Sequence, residues 1–174
     1  MRSFKVLIAF IVLAAIGGGV FIWSGTYNVA ANVPHWDITH KVLEQVRERS
    51  VANHSKGIAV PPLQDQKLKE VGFREFHEMC VRCHGAPGFV REGFAMGLYP
   101  APPDLASGNL FKEMSSAEIF WVIKNGFKMT GMPAFGVNHE DDELWGIVAF
   151  LEGLPKMSPQ EYKSMVEAHG GSHE

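Results

Sequence analysis

The feature that most constrains this chain is a pair of cysteines with a histidine directly after the second, in the sequence Cys80-Val81-Arg82-Cys83-His84. These are the only two cysteines among 174 residues. Chance would place two cysteines at this spacing, with a histidine next, in roughly one chain in two thousand. The pattern therefore indicates that the two cysteines and the histidine serve one chemical function together.

Three kinds of chemistry use closely spaced cysteines. A thioredoxin-like redox pair lies near a strand–helix–strand pattern, which this sequence lacks. A structural zinc ion needs four ligands, and no second cysteine pair exists to supply them. In covalent haem attachment, each thiol forms a thioether with a vinyl group and the adjoining histidine faces the iron. The motif predicts one haem c held by Cys80, Cys83 and His84, with no cysteine left for a disulfide.

An apolar segment lies near the N-terminus. Residues 6–23 carry no charge, and Arg2 and Lys5 precede them. This length suffices to cross the ~30 Å hydrocarbon layer as a helix. Positive charge on the N-terminal side predicts that the N-terminus is cytoplasmic and that the rest of the chain lies outside. Residues 1–27 are therefore predicted to be a single-pass anchor in the inner (cytoplasmic) membrane, with the haem domain on the periplasmic or outer side.

A cleaved signal peptide is the alternative interpretation of this segment. Val29-Ala30-Ala31 would serve as the small-residue cleavage site, giving a mature start near Asn32. The apolar run is longer than the usual core of a signal peptide, which favours the anchor. Both interpretations place the haem region outside the cytoplasm.

The remainder of the chain divides into three predicted parts. Residues 28–62 form a linker that contains a short amphipathic helix over 37–50, with apolar residues at helical spacing. Residues 63–156 form the haem domain, and residues 157–174 form a short helix and a disordered tail. The formal net charge of −3 gives no indication of nucleic-acid binding.

Within the haem region, turn and capping signals predict the elements. A helix over 65–80 leads into the cysteine motif, and the Gly- and Pro-rich stretch 85–108 is a loop that wraps around another surface. Ser115 and Glu118 have the spacing of a capping box and begin a helix. The acidic run 140–143 suits the first turn of a further helix, because carboxylates complement the helix dipole. Ser158 begins the last helix.

Over about residues 65–155 the chain resembles the class I c-type cytochromes, specifically the membrane-anchored bacterial monohaem type. The resemblance implies an all-α fold, a cytochrome c-like helical domain wrapped around one covalent haem. It also implies that the first and last helices of this domain cross, with Gly72 and Phe76 meeting Phe150. The segments that carry the resemblance are Gly72 with Phe76, Cys80–His84, a proline-rich loop, Thr130-Gly131-Met132-Pro133-Ala134-Phe135, and Ile147–Leu151.

The second axial ligand of the iron is predicted to be a methionine. A methionine is more often core filler than a ligand, but the Gly-Met-Pro context favours Met132, and the family places its ligand in a very similar sequence. Met129 is the alternative. His77 and His139 are predicted to be surface residues. By the same resemblance, the carbonyl of Pro102 or Pro103 accepts a hydrogen bond from the non-ligating nitrogen of His84.

An iron held by His84 and Met132 has no open coordination position, which implies an electron carrier rather than an enzyme. The resemblance suggests respiratory partners: a quinol-oxidising complex as donor and a terminal oxidase or reductase as acceptor. Two alternatives stay open. The chain is an integral haem subunit of a larger respiratory complex, or it is a haem-based sensor of small ligands.

Overall fold

A computed structural model describes residues 2–169, and within them the chain is helical with no β-strand. The predicted all-α class is confirmed. The contacts divide the chain into two compact units, with the division between Pro34 and His35. The predicted disordered tail lies, from residue 170 onward, outside the described residues. The helices are α1 Arg2–Ser24, α2 Asp37–His54, α3 Gln66–Glu75, α4 Val81–His84, α5 Leu110–Glu113, α6 Ser116–Asn125, α7 Asp141–Leu151 and α8 Pro159–Ala168.

Helix α1 belongs to the first unit and has the length and composition of a membrane span. Its 23 residues extend about 35 Å at 1.5 Å per residue. Its mean hydropathy reaches 2.6 over 18 residues, and none of its residues is buried. The helix coincides with the apolar segment found in the sequence.

Helix α2 lies in the second compact unit, together with the helices that follow it. It extends four residues beyond the predicted end at 50, and Trp36 precedes its first turn without a side-chain cap. Val51 is buried, and the ring of His54 lies 5.7 Å from that of Trp121 on α6. The C-terminal part of α2 therefore packs on the haem domain.

The N-terminal part of α2 leaves an apolar face uncovered. Val46 and the buried Val51 are five residues apart, so they point about 140° away from each other around the helix axis. Four apolar side chains on the side of Val46 are between 50% and 67% exposed: Ile38, Val42, Leu43 and Val46. We call these four residues the α2 stripe.

Helices α3 and α7 make the closest helix-to-helix contact in the domain. A Cβ placed on Gly72 would lie only 1.8 Å from the carbonyl oxygen of Gly146. A Cβ on Gly146 would in turn lie 2.9 Å from the backbone nitrogen of Gly72. The two helices cross at Gly72, as the resemblance implies, but the atoms nearest to a Cβ on Gly72 belong to Gly146 and Ile147 and not to Phe150.

Aromatic rings fill the core around this crossing. The rings of Phe76 and Phe150 are 5.3 Å apart, which confirms the predicted contact between α3 and α7. Phe120 of α6 stacks on Trp145 of α7, with centroids 4.1 Å apart. Such pairs add about 0.5–1.5 kcal/mol each to what their burial contributes.

Helix α8 packs into this core, although the sequence placed it outside the haem domain. The Tyr162 side chain is completely buried. Its ring lies 5.6 Å from that of Phe73 on α3 and 5.3 Å from that of Phe89 in the loop after α4. A capping box between Ser158 and Glu161 begins this helix, as predicted.

Candidate haem site

The cysteine motif sits on a helix whose register changes just before it. Helix α3 continues into a π-helical turn over Phe76–Cys80, and α4 then carries the rest of the motif. Such π turns insert one extra residue per turn and are frequent at functional sites. Cys80 is buried and Cys83 is partly buried, and neither is part of a disulfide. The helix ends at Gly85.

The thiol environment disfavours thiolate chemistry. Burial raises the pKa of the Cys80 thiol to about 12, and the nearby Cys83 and Glu75 act in the same direction. Burial also raises the pKa of the Cys83 thiol. Zinc binds thiolates, whereas a thioether is neutral and suits the same buried positions. Within residues 2–169, no group of three or more Cys, His, Asp or Glu side chains could hold a metal ion.

His84 is held in the form that a metal ligand requires. Its Nδ1 donates a hydrogen bond to the carbonyl oxygen of Pro103 over 2.8 Å. Burial lowers the pKa of His84, the nearby Arg91 lowers it further, and the hydrogen bond to Pro103 opposes both effects. The neutral imidazole that burial favours keeps its proton on Nδ1, so Nε2 has a free lone pair. The expected proline carbonyl is confirmed, and it belongs to Pro103 rather than Pro102.

The two candidate methionines have opposite surroundings. Met132 is partly buried and packs against the core cluster, whereas Met129 is 101% exposed and has a positive φ of 58°. A side chain that is fully in solvent is not placed to reach a buried metal. The surroundings therefore favour Met132 over Met129 as the methionine that faces the site.

The proline-rich loop connects the two sides of the site. Through Pro103 it holds His84. Through Leu98 it packs on Gly131, next to Met132: the Leu98 methyl carbons would lie 2.8 Å from a Cβ on Gly131. The single segment 98–103 thus contacts both the helix that carries His84 and the loop that carries Met132.

The donor set and its surroundings fit a haem. The Cys80 thiol lies at the end of the π-helical turn, the Cys83 thiol and the His84 imidazole lie on α4, and the Met132 thioether lies in a loop that segment 98–103 connects to α4. Cys80 and Cys83 would hold the macrocycle, while His84 and Met132 would supply the axial ligands. These are soft and borderline donors of the kind that iron in haem accepts.

His77 and His139 require a correction, because both are partly buried rather than on the surface. Nδ1 of His77 lies 3.1 Å from the Tyr162 hydroxyl, under helix α8. Nε2 of His139 lies 3.7 Å from a carboxylate oxygen of Glu75. The cause in each case is a later segment folding over α3, which local sequence cannot reveal.

Comparison with known proteins supports the class of c-type cytochromes. Residues 67–151 match the family model described as cytochrome c oxidase, cbb3-type, subunit III. The matched segment is 85 residues long, just under half of the 174-residue chain. No curated protein and no solved structure matches the chain. Residues 67–151 are therefore a class I c-type cytochrome domain, a haem-binding module for electron transfer.

Proposed function

We propose that this chain is a membrane-tethered monohaem cytochrome c that carries single electrons between respiratory partners through a His/Met-ligated haem. The haem domain would lie on the periplasmic or outer side of the inner membrane. The donor would be a quinol-oxidising complex, and the acceptor a terminal oxidase or reductase. The observation that supports the proposal is the hydrogen bond from His84 Nδ1 to the Pro103 carbonyl, which would orient the imidazole of His84 as a ligand.

Each residue of the site has a distinct part in this function. When bound, haem supplies the one-electron Fe(II)/Fe(III) couple. Cys80 and Cys83 would fix the macrocycle covalently, so that the cofactor is retained in both oxidation states. His84 would present Nε2, and its hydrogen bond to Pro103 fixes the ring orientation and raises ligand basicity. Met132 would supply a thioether, and a haem held by histidine and methionine has a raised reduction potential.

Covalent attachment is the first test. Acidified organic solvent should leave the haem on the denatured protein, because thioethers survive this treatment. Replacing both Cys80 and Cys83 by alanine should make the haem fully extractable or prevent its incorporation. Haem that leaves the unaltered protein under these conditions would show that the attachment is not covalent.

Retention of the anchor is the second test. We expect protein extracted from membranes to retain α1, because this helix has the length and hydropathy of a span. Intact mass or N-terminal sequencing measures this directly. A mature N-terminus near Asn32 would identify α1 as a cleaved signal peptide. A variant that lacks residues 2–27 but carries a separate export signal should be recovered from the soluble fraction with its haem attached.

An integral subunit of a larger oxidase is the second candidate function. The matched family is described as a subunit of an oxidase, and the α2 stripe is an apolar face that a freely diffusing carrier does not require. Copurification in mild detergent separates the two cases. A subunit should stay with stoichiometric partner chains, and replacing Val42 and Val46 by serine should weaken this association. Lys41→Ser, on the charged face of the same helix, is the matched control.

A further inference from the structure

The loop that presents Met132 is closed by its own hydrogen bonds. The Phe127 amide donates to the Met132 carbonyl over 3.1 Å, and the Thr130 amide donates to the Phe127 carbonyl over 3.3 Å. These two backbone bonds join the start of the loop to its end. The loop therefore presents Met132 from a defined backbone conformation.

The Thr130 hydroxyl makes two further bonds inside this loop. It donates to the Phe127 carbonyl over 3.0 Å and accepts from the Met132 amide over 3.1 Å. Thr130 is partly buried, so water is a poorer substitute for these bonds than at an open surface. One hydroxyl thus connects both ends of the loop, and one of its partners is the amide of the candidate ligand itself.

The C-terminal end of helix α6 packs closely against this loop. The helix ends at Gly126, which has a φ of +60°. A Cβ on Gly126 would lie 2.6 Å from the Met132 carbonyl oxygen and 2.5 Å from the carbonyl carbon of Pro133. The backbone of Met132 is therefore fixed at both of its ends: Thr130 binds its amide, and Gly126 packs against its carbonyl.

From this geometry we infer that Thr130 is a positioning residue, which holds the Met132 sulfur in its ligating position by bonding the Met132 amide. The inference rests on the proposed role of Met132 as axial ligand. Thr130 would not itself be a ligand, because its hydroxyl is bonded to the Phe127 carbonyl and the Met132 amide. Its effect is to slow the departure of Met132, the step that an external ligand must await before it can bind.

The test measures how fast imidazole binds to the oxidised, haem-loaded protein. Thr130→Val keeps the side-chain shape but removes both hydroxyl bonds. Loss of both hydroxyl bonds should raise the rate of imidazole binding by roughly tenfold or more. Thr130→Ser keeps the hydroxyl and should bind imidazole within about twofold of the unaltered protein. Lys128→Ala, an exposed change in the same loop, is the control and should leave the rate unchanged.

The possible results separate this inference from the proposed function. If Thr130→Val binds imidazole at the unaltered rate, or if Thr130→Ser is as fast as Thr130→Val, Thr130 does not position Met132. If Met132→Ala keeps the spectrum of the unaltered protein, the assignment of Met132 as the ligand fails instead.

Amide exchange of the unaltered protein gives a measurement that requires no variant. The Met132 amide should exchange at least about tenfold more slowly than an open chain, and an unprotected amide would contradict the inference.

Discussion

Replacing Met132 by alanine should convert this cytochrome from an electron carrier into a ligand-binding haem protein. The variant should lose the weak band at the red end of the spectrum that is typical of a methionine thioether bound to Fe(III). Its reduction potential should fall, because the thioether opposite histidine raises the potential. The reduced variant should bind carbon monoxide, which the unaltered protein should not. The domain should still fold, since Cys80, Cys83 and His84 would continue to hold the haem.

Met129→Ala is the matched control for this experiment. Met129 lies three residues earlier in the same loop, but its side chain is completely exposed. The substitution should leave the band, the potential and the lack of carbon monoxide binding unchanged, and should change stability by no more than about 0.5 kcal/mol. If Met129→Ala loses the band and Met132→Ala keeps it, Met129 rather than Met132 is the ligand. Retention in both variants would exclude His/Met ligation. Carbon monoxide binding by the unaltered protein would favour the sensor alternative.

Elements with local causes could be predicted from the sequence. The capping boxes that begin at Ser115 and Ser158 are present with both of their reciprocal bonds. In the acidic run from residue 140, the Glu143 carboxylate accepts a hydrogen bond from the Glu140 amide over 2.9 Å, and α7 follows. Each of these features depends on residues three or four positions apart. The residues that form these hydrogen bonds are therefore all present in the local segment.

Features that depend on distant segments could not be predicted in this way. Nothing near Tyr162 indicates that its ring packs on Phe73, about 90 residues earlier. The same packing buries His77, which local composition places at the surface. The choice of Pro103 over Pro102 depends on how the whole loop lies against α4, since both prolines follow the same local pattern. The π-helical turn before Cys80 likewise has no local signature among these residues.

The residues that would bind the haem could be predicted from the sequence, but the contacts that hold those residues in place could not. The residue types and spacing of Cys80, Cys83 and His84 predict haem attachment directly. In the sequence, Thr130 is distinguished only as part of the motif around Met132, although a threonine two residues before a loop amide is a known pattern of local hydrogen bonding. The contact between Leu98 and Gly131 has no sequence signal, because it joins two loops more than 30 residues apart.

Replacing Gly72 by alanine should strongly destabilise the haem domain. The new Cβ would lie 1.8 Å from the Gly146 carbonyl oxygen and 2.1 Å from its carbonyl carbon. A carbon and an oxygen in contact rest about 3.3 Å apart, so the two backbones would have to separate by about 1.5 Å. Neither atom belongs to a flexible side chain that could turn aside. The separation would loosen the packing of Phe76 against Phe150, which lies along the same interface.

We expect this substitution to lower the free energy of unfolding by about 3 kcal/mol or more. The roughly 1 kcal/mol that alanine gains over glycine in a helix is too small to offset the collision. Gly146→Ala should have a similar effect, because its Cβ would lie 2.9 Å from both the Gly72 nitrogen and the Leu68 carbonyl oxygen. Gly93→Ala is the control, since no atom lies within 4 Å of its new Cβ, and it should change stability by less than about 0.5 kcal/mol. Denaturant unfolding of the haem-loaded proteins, followed by helical circular dichroism, measures all three. A Gly72→Ala protein as stable as the Gly93→Ala control would contradict the close approach of α3 and α7.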